Sequence, residues 1–325
     1  MKFRILRGAE VKALLPMAAC IELMRTTMIA VSEGRARIPP RTVTPVGAGM
    51  LGVMPGHLAE PDCFGVKLLS LFPGNSAAGL SSHLGLVLLF EPEHGLPVAM
   101  LDAAELTAIR TAAVSGLATR LLAREDAGDL AILGSGEQAR SHLEAMLAVR
   151  EIRRVRVWSR NAAHSTEFAE KQGARYRLAI EPAATAEDAV RGADLICTVT
   201  ASPEPILRGD WVAPGAHLNV VGASRIAAAE IDTAAVAKSR FYVDFRESAR
   251  LEAGELKRAI DAGAVTFDHV LGEIGEVANG KAIGRTGAAD ITLFKSLGVS
   301  AEDLASAHYV LGRAEAEGVG QVVEL

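Results

Sequence analysis

No stretch of this chain limits its fold as much as Asp129–Ala139, DLAILGSGEQA. A short apolar run, Leu130–Leu133, breaks into Gly134-Ser135-Gly136 and then into a segment of helical composition. This is the G-x-G-x-x-A form of the dinucleotide fingerprint, set between a strand and a helix. Gly134 permits the tight turn, and Gly136 lets the backbone approach a pyrophosphate. The small Ala139 lets the helix lie close to the sheet. N–H groups and the dipole at the start of that helix favour a bound anion. Ser135, Glu137 and Gln138 complete the loop. Alone the motif is weak, because glycine turns are common in α/β proteins; its setting carries the argument.

That setting is a regular alternation. Glu137–Val149 reads as a helix, and Val155, Val157 and Trp158 as a second strand. Ser165–Gln172 reads as helical, with a short strand over Arg177–Ile180. Short apolar strand candidates follow at Ala193–Thr200, Ala216–Ala223 and Phe241–Phe245. Helical segments such as Ala186–Arg191 and Ala227–Ala237 separate several of them. Buried parallel strands read as short continuous apolar runs, and these do. A doubly wound, Rossmann-type parallel sheet is therefore expected over 115–300.

A carboxylate commonly ends the second strand of an NAD-binding unit, where it accepts the ribose hydroxyls and repels a 2′-phosphate. Here that strand ends Trp158-Ser159-Arg160-Asn161, with no Asp or Glu between Glu151 and Glu167. Ser159, Arg160 and Asn161 offer donors, and Arg160 a permanent charge suited to phosphate. NADP(H) is the expected cofactor, with NAD(H) as the alternative.

The first ~110 residues have another texture, with the boundary placed only approximately. Val11–Met28 reads as one helix, then Arg41–Val46, Phe64–Phe72, Leu84–Phe90 and Val98–Leu101 as strands, with a turn at Glu91–Pro97. An α+β unit is expected over 1–114. Two cations in it are out of place for a simple core. Lys67 lies inside FGVKLLSLF, and Arg110 shares a helical face with Val114, Leu117 and Leu121. Buried cations are costly unless something anionic meets them. Either alone reads as half of an internal ion pair or as a snorkelling side chain. Both together, beside a dinucleotide fold, point to a substrate carboxylate.

Composition excludes other classes. A net charge of −5 and a pI near 6 give no reason to expect nucleic acid or an anionic membrane as partner. No N-terminal apolar segment directs export, and Cys20, Cys63 and Cys197 are scattered without metal-ligand spacing. A cytoplasmic protein with reduced thiols and no metal is expected. His83, His94, His217 and His269 stand at no ligand spacing and read as structural or exposed.

At this point the residues carry a resemblance. RTVTPVGAGMLGVMP (41–55), VKLLSLFPGN (66–75), RTAAVSGLATRLLA (110–123), ILGSGEQAR (132–140), EPILRGDWVAPGAHLNVVGASR (204–225), GEIGEV (272–277) and TLFKSLG (292–298) are similar to the ornithine cyclodeaminase/mu-crystallin family. The resemblance implies a homodimer whose N-terminal domain binds substrate and forms the subunit interface. The chain's end, 301–325, is expected to pack back on that domain. Ser300–Gly318 reads as its closing helix, with Ser300 as cap, Asp303 completing the capping box and Gly318 ending it. By position in the motifs, Arg41, Lys67 and Arg110 correspond to the family's substrate-carboxylate ligands. Thr111 faces the cofactor in the same motif, and Thr198, Val221, Gly222 and Leu293 fall where the family approaches the nicotinamide.

The family divides at the residues that follow the strand read at 218–223. Ornithine cyclodeaminases resemble one another in an aspartate that follows V-G-G, a base for the substrate amine. This chain has Val221-Gly222-Ala223-Ser224-Arg225, the mu-crystallin-like form, with Ser224 in that place. A hydroxyl is no equivalent base at neutral pH, though it relays a proton or binds a water. Glu230 and Asp232 stand nearby, but Ile226–Ala229 reads as the start of a helix. The resemblance thus implies an oxidoreductase that reduces cyclic imino acids of the Δ1-pyrroline-2-carboxylate or Δ1-piperideine-2-carboxylate type, with Lys67, Arg110 and Ser224 at the chemistry. The alternatives are ornithine cyclodeamination, an alanine dehydrogenase-like reaction, or an NADP-dependent binding protein with little turnover.

Overall fold

The computed structural model describes residues 2–79 and 83–324. The chain opens with β1 (Lys2–Leu6), α1 (Gly8–Leu14), α2 (Met17–Ser32), β2 (Ala36–Arg37), β3 (Thr42–Val46) and β4 (Gly49–Ala59). β5 (Asp62–Leu71), β6 (His83–Phe90), β7 (Pro97–Asp102) and α3 (Ala103–Leu122) follow. An alternating stretch comes next: β8 (Asp129–Leu133), α4 (Glu137–Val149), β9 (Arg154–Trp158), α5 (Ala162–Tyr176), β10 (Ile180–Pro182), α6 (Ala186–Val190) and β11 (Leu195–Thr198). It continues through β12 (His217–Val220), α7 (Thr233–Lys238), β13 (Ser239–Val243), α8 (Arg246–Glu252), α9 (Gly254–Asp261), β14 (Val270–Glu273), α10 (Ile274–Ala278) and β15 (Ile291–Lys295). α11 (Ser300–Glu317) and β16 (Gln321–Glu324) end the chain. No single described helix is long and apolar enough to cross a membrane.

Two compact units result: Met1–Thr111 with Val299–Leu325, and Ala112–Gly298, the division falling within α3. In the first unit one sheet runs β16-β1-β7-β6-β5-β4-β2, with β3 also paired to β4. β1 and β7 are parallel and the other neighbours antiparallel. β4 contains Gly49, Gly52, Pro55 and Gly56, residues that read as strand breakers, so its composition carries no strand signal. Pro55 falls between the stretch that β3 pairs, up to Val53, and the stretch that β2 pairs, from His57. Gly56 and Gly65 serve the close approach of α11: a Cβ at 56 would lie 2.5 Å from Ser300 Oγ, and one at 65 would lie 3.0 Å from Leu304 Cδ2.

The helix expected over 11–28 is two helices. Pro16 forces Leu15 out of the helical region (φ −121°, ψ 72°) and starts α2 as its N-cap. The strand expected from Arg177 begins at Ile180, because Arg177 takes the left-handed conformation that ends α5. Gly318 ends α11 in the left-handed conformation, but Val299, not Ser300, is its N-cap, and the Val299 N–H donates to Glu302 Oε1 at 3.4 Å.

The second unit holds an eight-stranded sheet, β10-β9-β8-β11-β12-β15-β13-β14, with every neighbouring pair parallel. β11 and β12 are buried at every position and β8 from Leu130 onward, which accounts for their largely apolar composition; His217 and Asn219 of β12 are buried polar exceptions.

Candidate active site

In the first unit the chemistry collects on the sheet face that α11 covers. Along β5 the buried positions are Cys63, Gly65 and Lys67, so the two-residue period carries Lys67 to the α11 side. Met54 and Val87 flank it in register, both buried. Lys67 is 1% exposed, and its Nζ donates to Asp303 Oδ1 at 3.0 Å. Arg110 on α3 donates from Nε to the same oxygen at 2.9 Å and from Nη1 to Glu302 Oε2 at 2.5 Å. Both acids are fully buried at the start of α11, where the helix dipole favours negative charge. Asp303, expected from the sequence to be a capping group, is therefore the shared partner of both cations. Asp303 Oδ2 is buried without a hydrogen-bond partner among the described residues. Arg41, half-buried just before β3, adds its field to the cluster.

The electrostatics differ between the two cations. Burial opposes the charge on Arg110, but Asp303 and Glu302 outweigh it and hold its pKa above the usual arginine value. Lys67 is pushed down to about 8, first by burial and then by the Arg110 charge, although Asp303 is in contact with it. A further carboxylate beside Lys67 would favour its charged form.

In the second unit β8 ends at Leu133 and the fingerprint loop follows. Gly134 has φ +127°, and a Cβ there would lie 2.8 Å from the Val199 carbonyl oxygen, so only glycine fits. A Cβ at Gly136 would meet nothing within 4 Å, which leaves the space over the helix start open. Gly136 caps α4 without a side-chain bond, so no capping side chain occupies the first-turn N–H groups. Ser135 and Gln138 are half-buried, Glu137 is exposed and Ala139 buried. Gln138 Oε1 is buried with no partner among the described residues, an amide end that a bound ligand would satisfy. This loop fits a pyrophosphate. At the end of β9, Ser159 is half-buried and Arg160 exposed, while Asn161 caps α5 by accepting the Ala163 N–H at 3.1 Å.

At the ends of β11 and β12 the structure departs from the sequence expectation. Residues 227–232 are not helical; α7 starts at Thr233 and Asp232 caps it, accepting the Ala235 N–H at 2.8 Å. Asp232 directly before Thr233 was the available signal, hidden by the alanine-rich composition around it. Freed from a helix, Glu230 turns inward, fully buried, and accepts from Thr198 Oγ1, Thr200 Oγ1, Thr200 N and Gly222 N. Thr198 and Val221 are buried, Gly222 is exposed, and Ser224 is half-buried in the loop after β12. Thr111 is 7% exposed on α3. Leu293 is fully buried in the apolar core on β15.

The remaining polar candidates have structural partners. His217 is buried against Thr292, and His269 bonds the Val236 carbonyl; the side chain of His83 lies outside the described residues. Glu91, Glu93 and His94 lie close together on an exposed turn, but Glu91 already accepts three backbone N–H groups there.

The fold and the glycine loop define a Rossmann-type α/β protein carrying a second α+β unit. The chain belongs to the ornithine cyclodeaminase/mu-crystallin family, whose model matches residues 1–318. It is 40% identical to mouse ketimine reductase mu-crystallin over 280 residues, 86% of this chain and 85% of that protein. The structure of Thermococcus litoralis Δ1-pyrroline-2-carboxylate reductase in complex with NADH and L-proline superposes with a TM-score of 0.95 at 33% identity, covering 98% of this chain and 99% of that one. An archaeal alanine dehydrogenase dimer with bound NAD superposes with a TM-score of 0.94 at 30% identity, each chain covered in full.

Proposed function

We propose that the protein is an NAD(P)H-dependent reductase of cyclic imino acids, converting Δ1-pyrroline-2-carboxylate or Δ1-piperideine-2-carboxylate type ketimines to L-proline or L-pipecolate type products. The observation that carries this reading is the buried cluster in which Lys67 Nζ and Arg110 Nε both donate to Asp303 Oδ1, beside Arg41, in a chain of this family. A buried lysine poised there is complemented by a carboxylate and holds a proton near neutral pH that it can release. Arg110, Arg41 and Lys67 hold the substrate carboxylate. Lys67 Nζ, or a water on Ser224, gives the ring nitrogen its proton. When bound, the reduced nicotinamide supplies the hydride that the imine carbon accepts, so imine, NAD(P)H and a proton become amine and NAD(P)⁺. Holding two reactants in register is worth roughly 7–11 kcal/mol of barrier. The Gly134–Ala139 loop binds the pyrophosphate, and Thr111 with the Thr198 and Val221–Gly222 segments meets the nicotinamide end.

The test is turnover with five- and six-membered cyclic 2-carboxy imines, using NADPH and NADH in parallel. NADPH is expected to be preferred, and Arg160→Ala to raise its KM by about tenfold or more through loss of a charge-assisted bond to the 2′-phosphate, leaving NADH little changed. Ammonia and proline from ornithine with NAD, or oxidation of alanine, would replace the reductase reading. Tight dinucleotide binding without turnover on any of these would favour a binding protein.

The same reading makes the protein a homodimer. In register, Leu51, Ser70 and Leu84 form one row of the first unit's sheet, and Val53, Leu68 and Leu86 the next row on the same face. This face is opposite the Lys67 side, and Leu51, Leu84 and Leu86 on it are 40%, 43% and 39% exposed. An open apolar sheet face of this kind suits a second copy of the chain. Sedimentation is expected to give a dimer that Leu86→Glu converts to monomer; a monomeric parent protein would exclude it.

A further inference from the structure

Glu230, a buried acid without a place in the expected chemistry, sits inside a larger network. Its Oε2 accepts Thr198 Oγ1 at 2.8 Å and Gly222 N at 2.6 Å; Oε1 accepts Thr200 N and Thr200 Oγ1, both at 2.7 Å. One carboxylate thus ties the end of β11 to the end of β12. The Glu230 backbone N–H donates to Glu255 Oε1 at 3.1 Å, and Lys295 Nζ donates to the same oxygen at 3.2 Å. Lys295 also donates to the carbonyl of Ala223, the residue before Ser224. Glu230, Glu255 and Lys295 are each 1% exposed or less. The chain passes so close over this cluster that a Cβ at Gly222 would stand 2.0 Å from the Thr200 carbonyl oxygen and 2.6 Å from Glu230 Oε1. Hence V-G-A-S requires its glycine.

Stability alone does not account for this arrangement. Two buried carboxylates and a buried ammonium are costly to desolvate, and apolar residues of similar volume fill such a space at least as well. What the network supplies is position. It converges on the backbone of 198–200 and 222–223, outside the carboxyl ends of two parallel strands, where doubly wound sheets bind their ligands. Glu230 holds Gly222 from below through its N–H, and Lys295 holds Ala223 through its carbonyl. The two contacts leave Ser224 at the end of a backbone fixed on both sides.

We propose that Glu230, Lys295 and Glu255 are positioning residues that clamp the Thr198–Thr200 and Gly222–Ser224 segments in the conformation that receives the nicotinamide end of the cofactor. The inference rests on the dinucleotide reading above and is separable from the identity of the imine. It gives a role to Lys295, fully buried at the end of β15, which the proposed chemistry does not otherwise use.

The experiment compares two probes on the purified full chain: NAD(P)H, and ADP-ribose with or without the 2′-phosphate, which lacks the nicotinamide. Glu230→Ala and Lys295→Met are expected to weaken NAD(P)H by about tenfold or more, the loss of one charge-assisted contact, while the ADP-ribose probe, held by the glycine loop, binds as before. Glu230→Gln keeps one acceptor oxygen and is expected to recover part of the loss, which also serves if the alanine variant fails to fold. Equal weakening of both probes would reduce the network to a scaffold, and no weakening of either would remove its role; either result overturns the inference. Imine turnover is scored separately, so a parent protein that binds NAD(P)H but reduces no imine would end the reductase reading while the affinity split still decides the clamp.

Discussion

Replacing Arg110 with alanine is expected to lower the unfolding free energy by roughly 3–5 kcal/mol, because it removes the guanidinium that meets Glu302 and Asp303, both fully buried. Against a typical total of about 5–15 kcal/mol, that brings the variant close to the edge of folding. Urea denaturation measures it. A second variant separates fold from function: Arg110→Met together with Glu302→Gln removes the cation and the charge on the acid it meets, and leaves Asp303 paired with Lys67. It is expected to regain most of the lost stability but not the activity, with kcat/KM for the imine lower by about 30-fold or more through loss of the carboxylate clamp. If the double variant turned over imine like the parent, Arg110 would be an internal ion-pair partner and nothing else. A small stability loss in the alanine variant would mean that water reaches the acids readily.

How much of this was legible in the sequence depended on whether the cause was local. The parallel sheet was, since buried parallel strands need continuous apolar runs and Leu130–Leu133 or Leu195–Thr198 can serve little else. Gly134 was legible because only glycine takes its φ beside Val199. β4 was not, because its Pro55 and glycines are tolerated only through the gap between β2 and β3 and the helix lying on Gly56. β1 and β16 pair across nearly the full length of the chain, and no short-range pattern encodes that partnership.

The site divides in the same way. Lys67 and Arg110 stood out as cations among apolar neighbours, and the structure gives each the internal acid expected of either one alone. Glu302 and Asp303 carried no such warning, because acids in the first turn of a helix are ordinary dipole partners. Glu230 was masked by a helix expected to start at Ala227, ahead of its true cap at Asp232, and Lys295 by lying in a strand-like run. Partners brought from distant segments define what a charged residue does, and their identity comes only with the fold.

The pH dependence of Lys67 is the sharper test of the chemistry. If Lys67 donates the proton, kcat/KM for imine reduction, corrected for the imine's own titration, falls as pH rises through about 8, where the free enzyme's ammonium is lost. The reverse reaction on the amino acid needs the neutral amine and rises through the same pH. A bound carboxylate favours the charged form, so the limb in kcat lies at higher pH than the limb in kcat/KM. That displacement distinguishes a lysine touching the substrate carboxylate from one titrating elsewhere. Stability moves with it in a direction uncommon for lysine: folded, Lys67 has a pKa lowered from 10.5 to about 8, so between those values the unfolded chain binds the proton that the folded chain has released. Unfolding is therefore opposed more strongly as pH rises across that window, and the contribution is absent below it. Lys67→Met is expected to abolish the limb at about 8 in both directions of reaction and flatten that part of the stability profile. A variant that keeps the limb while losing only affinity for the imine would transfer the proton to the water on Ser224 and leave Lys67 as a charge that binds.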